Sequence, residues 1–142
     1  MIKKQHKYWM QKAITEAETG VTAFGALIVN NDDEYISAFN TTKHDGPTAH
    51  AEINVIQKLK QLEYTDAKKL TLYSTVEPCP MCMSAIVWAG IGKVVFGASI
   101  EDASEVGHQI NITSQEIADQ SWFEIYIEGG IEREKCKQLL KN

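Results

Sequence analysis

The sequence predicts an α/β fold, a mixed sheet with helices packed on both faces. Segments of helical period alternate with short β-branched runs along most of the chain. The first two strand-like runs are separated only by turn residues and form a hairpin, whereas the later ones are separated by helices, so the sheet is mixed. The length, 142 residues, suits one domain with a sizeable core, and no repeat, low-complexity segment or domain boundary interrupts it.

The elements follow in order. Residues 7–20 are an amphipathic helix, with Trp9, Met10, Ala13, Ile14 and Ala17 at helical spacing and Gly20 as its stop. Residues 23–29 are a short apolar run, a buried strand, and Asn30-Asn31-Asp32-Asp33 is turn chemistry before a second strand at 34–39. Residues 40–46 are a polar loop. Pro47 and Thr48 offer a helix start, and Val55, Ile56, Leu59 and Leu62 carry the helix on. After a linker at 64–69, residues 70–76 alternate apolar and hydroxyl side chains as a strand. Residues 79–89 form a helix closed by Gly90 and Gly92. A β-branched strand follows at 93–97. The pattern is weakest at 100–120, with one short helix at 114–118. A last strand spans 122–128, Gly129-Gly130 turns the chain, and 131–140 is a closing helix.

Composition excludes several classes. No apolar run is long enough to span a bilayer, and Met1-Ile2-Lys3-Lys4-Gln5-His6 has no apolar segment behind it, so neither membrane span nor signal peptide is expected. Three cysteines, two of them in Cys-x-x-Cys, favour a reduced compartment and a metal over a disulfide framework, which points to the cytoplasm. The net charge of -5 weighs against a nucleic-acid partner, and Lys3, Lys4, Lys7, Lys68 and Lys69 are scattered basic pairs on a solvated surface.

The chemistry concentrates in two motifs. Thr48-Ala49-His50-Ala51-Glu52 opens one helix, and Glu77-Pro78-Cys79-Pro80-Met81-Cys82 opens another. His50, Cys79 and Cys82 supply three ligands of the kinds zinc prefers, and a zinc site with three protein ligands keeps a position for water. Cys79 sits where unpaired N–H groups favour a thiolate, and Pro78 and Pro80 are tolerated beside it. Glu52 is not needed as a ligand. It is free to take a proton from a metal-bound water, whose pKa falls to about 7, and to return protons to a ring nitrogen and a leaving amine.

Each residue alone has a plainer reading. His50 would be a hydrogen-bonded residue, Glu52 a solvated one, and Cys-x-x-Cys a redox pair or half of a structural zinc site. Their combination at helix starts is far more specific. A closed structural site would need a fourth ligand from His44, His108 or Cys136, none beside the motifs; Cys136 reads more simply as a small buried residue. Trp88 is either core or the flat wall of a pocket, Phe24 core or pocket, and Asn40 a turn former whose amide also suits a base edge.

With these motifs, and with Phe24-Gly25-Ala26 on the first strand, the chain resembles the cytidine deaminase-like superfamily. More narrowly it is similar to the bacterial group of guanine deaminases and tRNA-specific adenosine deaminases. The resemblance implies a three-layer α/β/α sandwich about a central five-stranded mixed sheet, one Zn2+ per chain and hydrolytic release of ammonia. It also implies a homodimer, base contacts from Asn40, and a backbone contact from Ala51 beside Glu52. Ala23-Phe24-Gly25-Ala26, Ala85-Ile86-Val87-Trp88-Ala89 and the stretch from Glu101 to Gly107 look like the guanine deaminase branch. Two departures stand out: Gly46 separates Asp45 from Pro47, and His108-Gln109-Ile110-Asn111 stands where that branch places acidic residues. The expected function is zinc-dependent deamination of a nucleobase or nucleoside, guanine or a related aminopurine favoured. The rivals are a tRNA wobble adenosine deaminase and a non-catalytic zinc-stabilised binding domain, and the intact Glu52 argues against the latter.

Overall fold

The computed structural model describes residues 4–142, so Lys3 and the start of the Met1-Ile2-Lys3-Lys4 stretch lie outside the described residues. Five strands, β1 (Gly25–Val29), β2 (Tyr35–Phe39), β3 (Thr71–Val76), β4 (Lys93–Ala98) and β5 (Tyr126–Glu128), form one sheet in the order β2-β1-β3-β4-β5. β1 runs antiparallel to β2 and β3, and β3, β4 and β5 are mutually parallel, so the sheet is mixed. The hairpin register pairs Ala26 with Ala38 and Val29 with Tyr35.

The helices are α1 (His6–Thr19), α2 (Thr42–Asp45), α3 (Ala51–Ile56), α4 (Pro80–Ala89), α5 (Ile100–Ser104), α6 (Ser114–Asp119) and α7 (Arg133–Lys141). Side-chain alternation along β1 separates two cores. Ala26 and Ile28 pack with Ala51 and Val55 of α3, Met83 and Ile86 of α4 and Ala118 of α6. Leu27 and Val29 pack on the other face with Trp9, Met10 and Ala13 of α1, Ala103 of α5 and Cys136 of α7. The result is the expected three-layer α/β/α sandwich.

Several elements differ from the sequence expectation: the polar loop at 40–46 holds α2, and the helix offered a start at Pro47 and Thr48 begins at Ala51. The helix expected to reach Leu62 stops at Ile56, and the chain tightens into a 3-10 turn at Leu59–Gln61. Leu59 and Leu62 still pack on the core, so the apolar spacing is right although the helix is not continuous. The last strand is only Tyr126–Glu128; before it a turn, in which the Ser121 hydroxyl donates to the Phe123 carbonyl, lets Phe123 and Ile125 reach the core without sheet pairing. α5 was not expected, yet Ser99 and Asp102 form a capping box at its start.

Candidate active site

β3 ends at Val76, and two residues later the chain enters α4 with Cys79 as its extended N-cap and Pro80 in the first turn. Cys82 follows one turn in and is buried. His50 is likewise the extended N-cap of α3, which packs on the same sheet face as α4. Two helix starts therefore converge. The His50 Nδ1 lies 3.7 Å from Cys79 Sγ and 3.4 Å from Cys82 Sγ, and the three ligand atoms all lie within 4.8 Å of one another. Zn–N and Zn–S bonds of ordinary length at a tetrahedral angle separate nitrogen from sulfur by about 3.6 Å. The donor set and its spacing fit zinc, and among the described residues no fourth His, Cys, Asp or Glu joins the group.

The electrostatics suit a cation. Of the two thiols Cys79 carries the negative charge: the Cys82 thiol donates to it, His50 adds to the effect, and its pKa drops to about 4. Cys82 is pushed up as the donor of that pair and by burial. Hydrogen bonding to Cys79 raises His50. Glu52 is buried, and burial lifts its carboxyl to about 7, with the Cys79 charge adding and its own backbone amide and the Ser74 hydroxyl opposing.

A cavity of about 260 Å³ opens on the ligands, and His50, Cys79 and Glu52 line it together with Phe24 and Asn40. Phe24 lies just before β1 and Asn40 just after β2, so the hairpin brings both to the end of the sheet where β3 delivers Cys79. The Asn40 Oδ1 accepts from the Thr42 N–H and hydroxyl, both at 3.0 Å. Ala51, fully buried, is the first residue of α3, where an N–H has no acceptor inside the helix. The structure thus gathers His50, Glu52, Cys79, Cys82, Asn40 and Phe24 at one place.

Trp88 is the correction. It does not line the cavity but is 79% exposed and stacks edge-on against Trp122, with ring centroids 5.2 Å apart. Cys82 is at the start of α4 and Trp88 near its end, about 9 Å along the axis at 1.5 Å per residue, so it stands well beyond the metal ligands. Among the other ligand candidates, His44 is exposed, and Cys136 lies in the core of the opposite sheet face. His108 lines the cavity without joining the metal ligands.

The sequence reading missed Val76, Glu77, Gln109 and Ile110 as lining residues. Glu77 had a signal, an acidic residue buried between a strand and a Pro-Cys pair. Gln109 and Ile110 lie in a stretch without periodicity, and their signal was the resemblance alone, which puts His108-Gln109-Ile110-Asn111 where the guanine deaminase branch carries acidic residues.

Comparison with known proteins matches residues 3–98 to the family described as the cytidine and deoxycytidylate deaminase zinc-binding region. The chain is 38% identical over 120 residues to the guanine deaminase of Bacillus subtilis (strain 168), covering 79% of this chain and 76% of the relative. It is 33% identical over 142 residues to the tRNA-specific adenosine deaminase of the same organism, covering 96% and 86%. In three dimensions it resembles the guanine deaminase from Nitrosomonas europaea, with a TM-score of 0.80 at 20% identity over 99% of this chain and 85% of that one. A structure in complex with 2,6-diaminopurine gives a TM-score of 0.78 at 21% identity over 99% and 82%. All three metal ligands fall inside the matched region. The chain therefore belongs to the cytidine and deoxycytidylate deaminase zinc-binding family and is a zinc-dependent aminohydrolase.

Proposed function

We propose that the chain deaminates a free aminopurine base, guanine first, replacing an exocyclic amine with oxygen and releasing ammonia. The observation that carries this reading is the cavity beside the metal ligands. At about 260 Å³ it is smaller than pockets that take drug-sized ligands, which suits one planar base. Phe24, Val76 and Ile110 supply apolar walls, while Asn40, His108 and Gln109 offer polar groups to a base edge. Because the Asn40 oxygen is already engaged by Thr42, its NH2 is the group left to meet substrate, a donor suited to a ring nitrogen or a carbonyl oxygen. The likeness to a guanine deaminase supports the same base.

His50, Cys79 and Cys82 would hold the zinc, which supplies an acidified water as nucleophile near neutral pH. Glu52 moves the protons. Burial raises the Glu52 carboxyl above its ordinary range, which favours proton return, so it accepts a proton as water adds and delivers protons to the ring nitrogen and the departing amine. The balance is one water consumed and one ammonia released, with no redox change. A homodimer is part of this reading, supported by the exposed Trp88–Trp122 pair.

One observation favours a second reading, a tRNA adenosine deaminase: that relative matches 96% of the chain. It requires a basic mouth, whereas among the described residues the cavity is lined by Glu52 and Glu77 and by no Lys or Arg. A non-catalytic zinc domain leaves the buried Glu52 beside the ligands without a use.

The test is ammonia release from zinc-loaded protein offered guanine, adenine, cytosine, their nucleosides and a tRNA anticodon stem-loop, with Glu52→Ala as blank. Turnover of a free purine that vanishes in the variant is expected. Turnover of the stem-loop alone overturns the proposal in favour of the tRNA reading, and silence on every substrate overturns it altogether.

A further inference from the structure

We infer that Glu77 is a positioning residue that sets the specificity wall of the pocket, residues 105–113. Its kinetic consequence rests on the proposed function; its structural consequence does not.

Glu77 is buried and borders the cavity, yet its oxygens are turned to other partners. Oε1 accepts from the Ile100 N–H at 2.9 Å, and Oε2 accepts from the Ser114 N–H at 2.9 Å and the Ser114 hydroxyl at 2.6 Å. Ile100 and Ser114 are the first residues of α5 and α6. First-turn N–H groups have no acceptor within their own helix, so one carboxylate completes the starts of two helices. Its engagement also separates it from Glu52, which has no such anchoring role.

The segment between these helices depends on that anchorage. Its far ends are well held: Ser99 and Asp102 cap α5, Thr113 and Glu116 cap α6, and Arg133 of α7 donates twice to Asp102. Inside it, among the described residues, no backbone N–H from 108 to 111 finds a partner. His108, Gln109 and Ile110 nevertheless form one wall of the cavity. Their place is therefore set by where α5 ends and α6 begins, and Glu77 ties both helices to the loop that carries Cys79. The Glu77 carboxylate thus registers the residues that meet the substrate edge against the metal ligands, beside the packing of Ala118 of α6 on α4.

Glu77→Gln tests this. The amide keeps one accepting oxygen and sets an NH2 against a donor, which releases one of the two helix starts. Glu77→Asp keeps both acceptors on a shorter arm. Three quantities are compared in the zinc-loaded full chain: zinc content, amide exchange, and thermolysin cleavage within 105–113. In Glu77→Gln, exchange in α6 and cleavage before Ile110 or Ile112 are expected to quicken about tenfold. Zinc stays stoichiometric, and exchange around His50 and Cys82 is unchanged. With guanine, KM rises about tenfold and kcat stays within about threefold. Glu77→Asp falls between wild type and Gln on both readouts and decides the question should the Gln variant not fold. Unchanged exchange and cleavage overturn the inference. So does loosening spread over the whole chain with loss of zinc, or a fall in kcat at constant KM. A wild type that turns over no purine overturns the proposed function alone, and exchange and cleavage then decide the role of Glu77.

Discussion

Glu52 and Asp102 are both buried acids, and their surroundings send them in opposite directions. Burial lifts Glu52 to about 7, and the His50 charge opposes it only in part. The Arg133 guanidinium beside Asp102, at 2.8 and 3.0 Å, and then the Ser99 amide and hydroxyl hold that carboxyl well below the usual carboxylate range. The first arrangement suits proton transfer and the second suits stability. Glu52→Gln preserves shape and removes the titrating group, so kcat should drop about 10³-fold while zinc content and melting stay near wild type. Steady-state assay and metal analysis on the same sample check this. Asp102→Ala removes a cap and two charged hydrogen bonds, at a cost of about 2 kcal/mol. A depressed folded pKa contributes stability above the unfolded value, about 3.9, that is lost as pH falls through the folded value. The gap in urea midpoint between wild type and Asp102→Ala should therefore hold from pH 8 to 5 and shrink only below about pH 4.

α1 can approach the sheet because β1 begins with a residue lacking a side chain. A Cβ on Gly25 would lie 2.3 Å from the Ala13 carbonyl and 2.7 Å from the Ala17 nitrogen, both backbone atoms that cannot turn aside. Gly25→Ala must push α1 outward at a cost of about 3 kcal/mol, measurable by urea unfolding. The Gly25 N–H also donates to the Thr75 hydroxyl, and Phe24 precedes it in the cavity wall, so KM should rise in the same variant. Elements like this were legible where the signal is local. The period of Trp9, Met10 and Ala13, the turn before β2, and the Cys79 and Gly90 ends of α4 each declare themselves within a few residues. Legibility failed where a distant partner decides. Apolar alternation from Trp122 onward looked like strand, but Trp122 turns out to meet Trp88, and only Tyr126–Glu128 pairs with β4. The wall at 108–110 has no periodicity of its own and was marked only by the resemblance, because Glu77 sets its position across a long sequence separation.

The architecture explains why residues so far apart in sequence form one site. β1 is antiparallel to β2 and β3, so the start of β1, the end of β2 and the end of β3 fall at the same end of the sheet. Phe24, Asn40 and Cys79 arrive there from three segments, and α3 adds His50 and Glu52. The site lies at the carboxyl ends of β2 and β3, beside the start of the antiparallel β1. Zinc would tie α3 to α4 at one end of the sheet, whereas the two cores are built from apolar side chains of the sheet and both helix layers and not from the ligands. Chelation should therefore leave the far-ultraviolet dichroism of the sheet and helices in place. The melting temperature should fall, with about 4 kcal/mol withdrawn relative to metal at a thousandfold excess over its Kd. Net charge separates the two candidate substrates. A chain at -5 gains nothing from long-range attraction to a polyanion, and a neutral base needs none. Between 50 and 200 mM salt, kcat/KM for guanine should change less than about twofold, whereas a tRNA substrate held by six to ten phosphate contacts would bind about 10³-fold or more weakly over that range. A flat salt profile with guanine fixes the assignment to the small base. A steep one, measured with the stem-loop as the only substrate turned over, transfers it to tRNA and requires a cationic surface beyond the cavity that Glu52 and Glu77 line.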